Sequence, residues 1–543
     1  MIELEENMRI DSGFSRIANH MSSWLKYSQI FGYKPSKEEI INDIRSINLE
    51  DALIIIAKFS VLNDQSKKQL KTLINASIQD REEIYSVEPF DLISLLYSIK
   101  WFLAYGLPKN ESTFNNGYPD YYNIFITVLK ISDYLEDNID NEDEVQNLVL
   151  KSWLFTRPGD IDRALVRQYV MFEEIAKNKD FKNELKDSYL DIHSIFEQYY
   201  GYSIKDYISV LFALHMPSIK ELNLREAFST NNWGIDLTTF FKKVKIKNVA
   251  EQISNDLTVD INTLKTWARN TIDNPFDYEI LLSKPLFKKG NWLIPFSPGI
   301  LNSTIFDGLC FKINQSCAKS KIDFFSFFGR LFEQYISTLL SSAVNSAKKI
   351  TNYEFIDEFL YGKENKRSPD SHVLLGRTLL IFECKGGRIR KETKISAEPE
   401  FSKKDFEKYA IEPIKQANKA YTNILSKKPS IFKNVNKVII LSVSLQSFPK
   451  IPKFNDLIAD LKGNLHPHIK EIDYIGLYDL ELLAYLISHH DITVYKFIKN
   501  KKVLDDFIPY RNYYYDKYGG IKRPDLLNEK YMECTNIIRT TLF

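Results

Sequence analysis

Residues Ser368–Gly387 read SPDSHVLLGRTLLIFECKGG, an apolar run that ends in two charges and two glycines. Side chains alternate along a strand, so Glu383 and Lys385 share one face and Cys384 takes the other. Leu379 to Phe382 are apolar on both faces, which predicts a central strand covered on both sides. Gly386-Gly387 ends it and lets a backbone or a ligand come close. With Gly376-Arg377 as a two-residue hairpin loop, the register sets Asp370 directly opposite Glu383. Carboxylates so placed repel each other. Either Lys385 or a divalent metal must balance them.

Two carboxylates, an adjacent backbone carbonyl and water make an oxygen-rich site suited to Mg²⁺ or Mn²⁺. The ligands expected are Asp370, Glu383 and the Cys384 carbonyl. Such an ion binds phosphate oxygen and lowers the pKa of bound water. Lys385 beside it orients that water, takes its proton or neutralises charge on phosphorus; the sequence leaves these roles open.

Outward from this stretch, FFSFFGRLFEQYISTLLSSAV is a helix whose Phe324, Phe328, Leu331, Tyr335 and Leu339 recur on one face. YEFIDEFLYG, DSHVLL and RTLLIFECK follow as strands. KKDFEKYAIEPIKQANKAYTNIL is helical with a break at Pro413, and NKVIILSVSL is another buried strand. The order helix, three strands, helix, strand defines a compact α/β unit of ordinary domain size.

These residues carry a resemblance. Pro369-Asp370, a twelve-residue spacer and Glu383-Cys384-Lys385 after an apolar strand resemble the PD-(D/E)xK nuclease superfamily. The resemblance implies a restriction-endonuclease-like core with a mixed central sheet, in which Asp370 and Glu383 bind the metal and Lys385 assists phosphodiester hydrolysis. Glu333 in FFGRLFEQYI looks like the family's helix glutamate. Gln416 in IKQANKAY resembles the polar residue of the following helix. Tyr421 stands five residues after Gln416, not the four of the QxxxY pattern found in some members. The match covers roughly Phe324–Leu445.

Before it, residues 1–281 read as a mainly α-helical region, a sensor or partner-binding part expected to hold a protein partner or a second copy of the chain. DALIIIAKFSVL, FDLISLLYSIKWFLAYGL, YYNIFITVLKISDYL and YISVLFALHM carry apolar residues at three- and four-residue steps. Asp160 is expected to cap the helix that follows it. Residues 282–319 read as a β-hairpin linker around Lys289-Gly290, 320–450 as the nuclease-like domain, and 451–543 as a C-terminal mixed α/β appendage. The tyrosines of PYRNYYYDKYGG read as packing. The whole is a mixed α/β chain.

The 543 residues carry a net charge of +1, so no global field draws the chain to nucleic acid or membrane. Local charge differs. From Lys385 to Lys404, seven basic residues face three acidic ones. Arg388, Arg390 and Lys391 are the candidates for phosphate contacts. Apolar runs are too short for a bilayer, so no membrane partner is expected. Four cysteines without ligand spacing, and an N-terminus without a signal-peptide core, fit a reducing cytoplasm. The expectation is a Mg²⁺- or Mn²⁺-dependent endonuclease acting on nucleic acid, with DNA as substrate and a place in antiphage or foreign-DNA defence. The alternative is a catalytically inactive nucleic-acid-binding or regulatory protein on the same fold; the intact Asp370, Glu383 and Lys385 count against it.

Overall fold

The computed structural model describes residues 24–75, 88–107, 118–135, 141–155, 161–230, 233–319, 321–428, 430–520 and 522–543. The chain is mixed α/β, with helices dominating its N-terminal half. It folds as two compact units. One joins Ser22–Asp140, His193–Ser316 and Thr535–Phe543; the other joins Asn141–Ile192 to Cys317–Cys534. These boundaries do not follow the linear division at 281 and 450.

In the first unit the periodic stretches form the helices Leu49–Phe59, Leu92–Tyr105, Tyr118–Ser132 and Ile204–His215. Leu49–Phe59 is buried all round except at Glu50, which marks a helix at the centre of its core. Its N-cap Asn48 accepts the Asp51 N–H at 3.2 Å. Two buried lysines are accommodated by backbone carbonyls: Lys58 donates to Glu226 and Ser229, and Lys100 to Thr271 and Asn274. The hairpin of Leu286–Lys289 and Trp292–Pro295 turns at Gly290, whose φ of 59° suits glycine. It is not a linker. Ile235–Asp236 and Thr258–Val259 flank it to complete a four-stranded sheet, and Pro298–Ser303 and Leu309–Lys319 after it are helical. Two-residue strands are too short to give a periodic signal.

The second unit is built on a five-stranded sheet. Its elements are α1 (Phe324–Asn345), β1 (Tyr353–Asp357), β2 (Ser371–Leu375), β3 (Thr378–Lys385), α2 (Pro399–Phe406), α3 (Glu412–Lys427), β4 (Lys437–Ser444), β5 (Ile469–Gly476), α4 (Leu477–His489), α5 (Val494–Leu504) and α6 (Tyr510–Tyr518). The strand order is β5-β4-β3-β2-β1. β1, β2 and β3 form an antiparallel meander, whereas β3, β4 and β5 run parallel, so the sheet is mixed. The turn at Gly376-Arg377 sets Leu375 against Thr378 and Ser371 against Phe382, which is the register expected from the sequence.

Leu379–Phe382 on β3 and Val438–Leu441 on β4 are buried on both faces. Each such aliphatic side chain stabilises the fold by about 1.5–3 kcal/mol. α1 presents Phe324, Phe328, Leu331, Tyr335 and Leu339 to this core, as its periodicity requires. The break expected at Pro413 is absent: a π-helical turn, Glu407–Ile411, joins α2 to α3, so the helix widens just before the proline and continues past it.

The C-terminal region is not an appendage. β5 completes the sheet, and α4 packs on α1, with Tyr335 donating to Glu481 at 2.9 Å. Arg167 makes a two-point ion pair with the same Glu481, at 2.6 and 2.9 Å. It lies on the helix Ile161–Gln168; Asp160, its expected cap, is outside the described residues. Tyr513 and Tyr514 of α6 are buried against Phe497 of α5. Among the described residues no helix is long and apolar enough to cross a membrane.

Candidate active site

β3 delivers Glu383 and Lys385 at its exit, with Lys385 Nζ 3.5 Å from a Glu383 carboxylate oxygen. Lys385 also donates to Gln416 Oε1 on α3 at 2.9 Å. Asp370 lies one residue before β2. The last paired residues there are Ser371 and Phe382, so the ladder opens before Asp370 can pair with Glu383. Its carboxylate instead accepts the Cys384 N–H at 2.7 Å. That bond ties Asp370 to the motif strand by a charge-assisted contact, one of the stronger classes of hydrogen bond.

Glu333 comes from α1. It pairs at 2.5 Å with Arg330, one turn earlier, whose guanidinium also reaches Glu184 at 2.9 Å and Glu358 at 3.6 Å. Arg367 reaches the same Glu358 carboxylate oxygen at 2.8 Å. Arg330, Glu184 and Glu358 are not among the residues expected from the sequence. The three-residue spacing of Arg330 and Glu333 was the available signal; the other two partners are remote in sequence.

The carboxylates act on one another. Burial and then the charge of Asp370 push Glu383 up to about 8, against the relief of Lys385. The same two causes, burial first, push Glu333 up to about 7, with Arg330 opposing. Asp370 is itself raised by burial, partly offset by the Cys384 N–H. The Cys384 thiol is raised well above its ordinary value by burial, which keeps it protonated and unreactive. Three half-buried acids with raised pKa values, gathered at a strand exit, hold excess negative potential.

The two glycines have a packing reason. A Cβ on Gly386 would lie 3.1 Å from both Gly329 Cα and Phe332 Cβ of α1, and one on Gly387 would lie 2.5 Å from the Tyr409 hydroxyl. The close neighbours are therefore a helix backbone and a tyrosine, not an open groove. Tyr409 in turn donates to the Arg388 carbonyl at 2.8 Å.

Of the three expected phosphate-binding residues, Arg390 is committed to the fold. Asp405, buried, lies 3.2 Å from its guanidinium and accepts the Arg390 backbone N–H and the Thr393 hydroxyl. Arg390 also lies over the Phe401 ring. Arg388 is half-buried, and Lys391 is exposed at the start of a short helix.

The donor set is one a hard cation accepts: Asp370, Glu383 and the Cys384 carbonyl supply oxygen alone. Among the described residues no group of three or more His, Cys, Asp and Glu side chains is gathered to hold a metal ion. An ion here would therefore rest on two carboxylates, with the carbonyl and water completing its shell. No family model and no curated protein matches the chain.

Proposed function

We propose that the chain is a metal-dependent nuclease that hydrolyses phosphodiester bonds in DNA at the exit of β3. The observation that carries this reading is the gathering at the β3 exit of Asp370, held by the Cys384 N–H, with Glu383 and Lys385, the lysine 3.5 Å from Glu383 and bonded to Gln416. Buried like charges are costly unless a cation joins them. On this reading the five-stranded sheet and α1 are a restriction-endonuclease-like core. Asp370 and Glu383 would hold Mg²⁺ or Mn²⁺, with the Cys384 carbonyl as a third ligand. The bound ion supplies charge neutralisation at phosphate and a more acidic water.

The chain's own residues divide the remaining work. Lys385, steadied by Gln416 and Glu383, directs its ammonium at the reacting phosphate, where it orients the attacking water and offsets the charge that develops on phosphate oxygen. Glu333 adds a carboxyl group from α1, and Arg330 opposes the burial and the Asp370 charge that raise its pKa. The Cys384 N–H fixes the direction of Asp370. Lys391 and Arg388 contact neighbouring phosphates, while Arg390 supports the segment that carries them. A nuclease centre joined to a large helical part suits defence against foreign DNA, with the helices sensing the invader or a partner; this rests on analogy of architecture.

The test is incubation of purified protein with supercoiled plasmid and with linear duplex, in Mn²⁺, Mg²⁺ or EDTA. Nicked and linearised plasmid with either ion and none in EDTA is expected. Intact DNA in all three, beside a protein that unfolds cooperatively, would reject the reading for DNA.

A further inference from the structure

We propose that one flank of the second unit is a track for the phosphate backbone of DNA, made of the exposed face of α3 from Gln416 to Lys427 and the hairpin of residues 360–367 beside its end. The track rests on the nuclease reading above and extends it beyond the scissile phosphate. Charge pattern and placement together carry it. From Pro413 to Lys437 the chain has six lysines and no aspartate or glutamate. In a protein whose net charge is only +1, that run makes a local field of one sign.

α3 starts beside the hydrolytic centre, where Gln416 accepts from Lys385 at 2.9 Å. Lys419, Asn423 and Lys427 follow at steps of three and four residues, so the four side chains form one stripe along the helix. Gln416, Lys419 and Lys427 are exposed. The stripe is about 16 Å long at helical rise. That matches roughly five nucleotide steps along a duplex. The one acid of this helix, Glu412, lies before the stripe and pairs with Lys415 at 3.1 Å.

The far end of the stripe meets a second cationic element. Leu360–Tyr361 pairs antiparallel with Lys366–Arg367, in the connection between β1 and β2. Gly362, at φ 71°, opens the turn and lies against Lys427: a Cβ there would be 3.0 Å from Lys427 Cδ and 3.6 Å from its Nζ. Lys363 follows in the turn, exposed. Lys428 Nζ is 5.6 Å from the centre of the Phe359 ring, next to the first strand of the hairpin. The hairpin is anchored to the centre at its base. There the Ser368 N–H donates to the Phe359 carbonyl at 2.8 Å, and Asp370 stands two residues further on.

The nearby acids are already matched. Glu364 lies 2.6 Å from Lys366, and Glu358 lies 2.8 Å from Arg367. Among the described residues, Lys363, Lys419, Lys427 and Lys428 have no carboxylate within ion-pair distance. Ammonium groups strung out from a cleavage centre suit a chain of phosphates rather than one small anion. Such contacts position a backbone without reading bases, so the track supplies affinity and not sequence specificity.

The probe is a fluorescent DNA duplex of about 30 base pairs, which overruns the track several-fold. Its binding to the full chain is read by anisotropy in EDTA, from low to physiological salt. Lys363→Gln, Lys419→Gln and Lys427→Gln are combined in one variant. A control variant, Lys205→Gln with Lys242→Gln and Lys499→Gln, removes the same charge at exposed lysines elsewhere. Both are matched to wild type for cooperative unfolding. The track variant should bind at least about tenfold more weakly at low salt, and its slope of log affinity against log salt should shrink by about 2–3. The control should keep the wild-type slope. An unchanged slope in the track variant, an equal loss in the control, or no binding by wild type at low salt would overturn the track. Cleavage in Mn²⁺ is scored separately. Duplex that is bound through the track but left uncut would reject the hydrolytic reading alone, whereas duplex cut by a chain whose slope ignores the three lysines would reject the track alone.

Discussion

Glu383 and Glu333 make the chain's behaviour with pH a signature of the site. Their folded pKa values, about 8 and about 7, lie above the ordinary 4.5. The folded state therefore keeps protons that the unfolded chain releases. Stability from this source is present below about 4.5 and is lost as pH rises through 7 to 8. Without metal, the unfolding midpoint should fall across that window, and Glu383→Gln should flatten the fall. Mn²⁺ requires ionised carboxylates, so its stabilising effect should grow as pH rises over the same range. A flat wild-type profile, with or without Mn²⁺, would contradict the raised pKa values. Asp370, Glu383 and Lys385 were legible because alternation and a two-residue turn are local rules. The Asp370–Cys384 bond was not legible, since the ladder's opening at Ser371 leaves no trace in the residue pattern.

At the scale of elements, two contacts position β3 and α1. Gly387→Ala would drive a Cβ into the Tyr409 hydroxyl, so the strand exit must shift. A destabilisation of about 1–3 kcal/mol is expected from denaturant unfolding. The Arg167–Glu481–Tyr335 cluster is buried beneath α1 and α4. Glu481→Ala leaves a buried guanidinium without its counter-ion and should cost about 3–5 kcal/mol. A change under 1 kcal/mol would show that water or another group replaces the carboxylate. The long helices and the buried strands were readable because each repeats its period over several turns or residues. Ile235–Asp236 and Thr258–Val259 were not, because two residues have no period and form strands only through their neighbours.

For the whole molecule, the parallel half of the sheet decides what can be removed. β5 and α4 lie beyond residue 450, yet they supply an edge strand and a helix on α1. A chain ending at residue 450 should lose cooperative unfolding and expose apolar surface, as measured by circular dichroism and dye binding. A cooperative transition like that of the full chain would mean that the C-terminal region is an appendage after all. The sequence suggested a break at 450 because the strand-rich run ends there. Parallel pairing between β4 and β5 spans a connection that carries no local signal.

The assignment of one hydrolytic centre is tested most directly by cleavage rate against Mn²⁺ concentration, on a labelled duplex, for wild type, Glu383→Gln and Lys385→Ala. All three must be matched for cooperative unfolding. Wild type should saturate with Mn²⁺. Glu383→Gln should lose both the metal dependence and the rate. Lys385→Ala should keep the stabilising effect of Mn²⁺ while its rate falls about 10²–10⁴-fold. Wild-type rates in both variants would place the chemistry elsewhere in the chain and contradict the account.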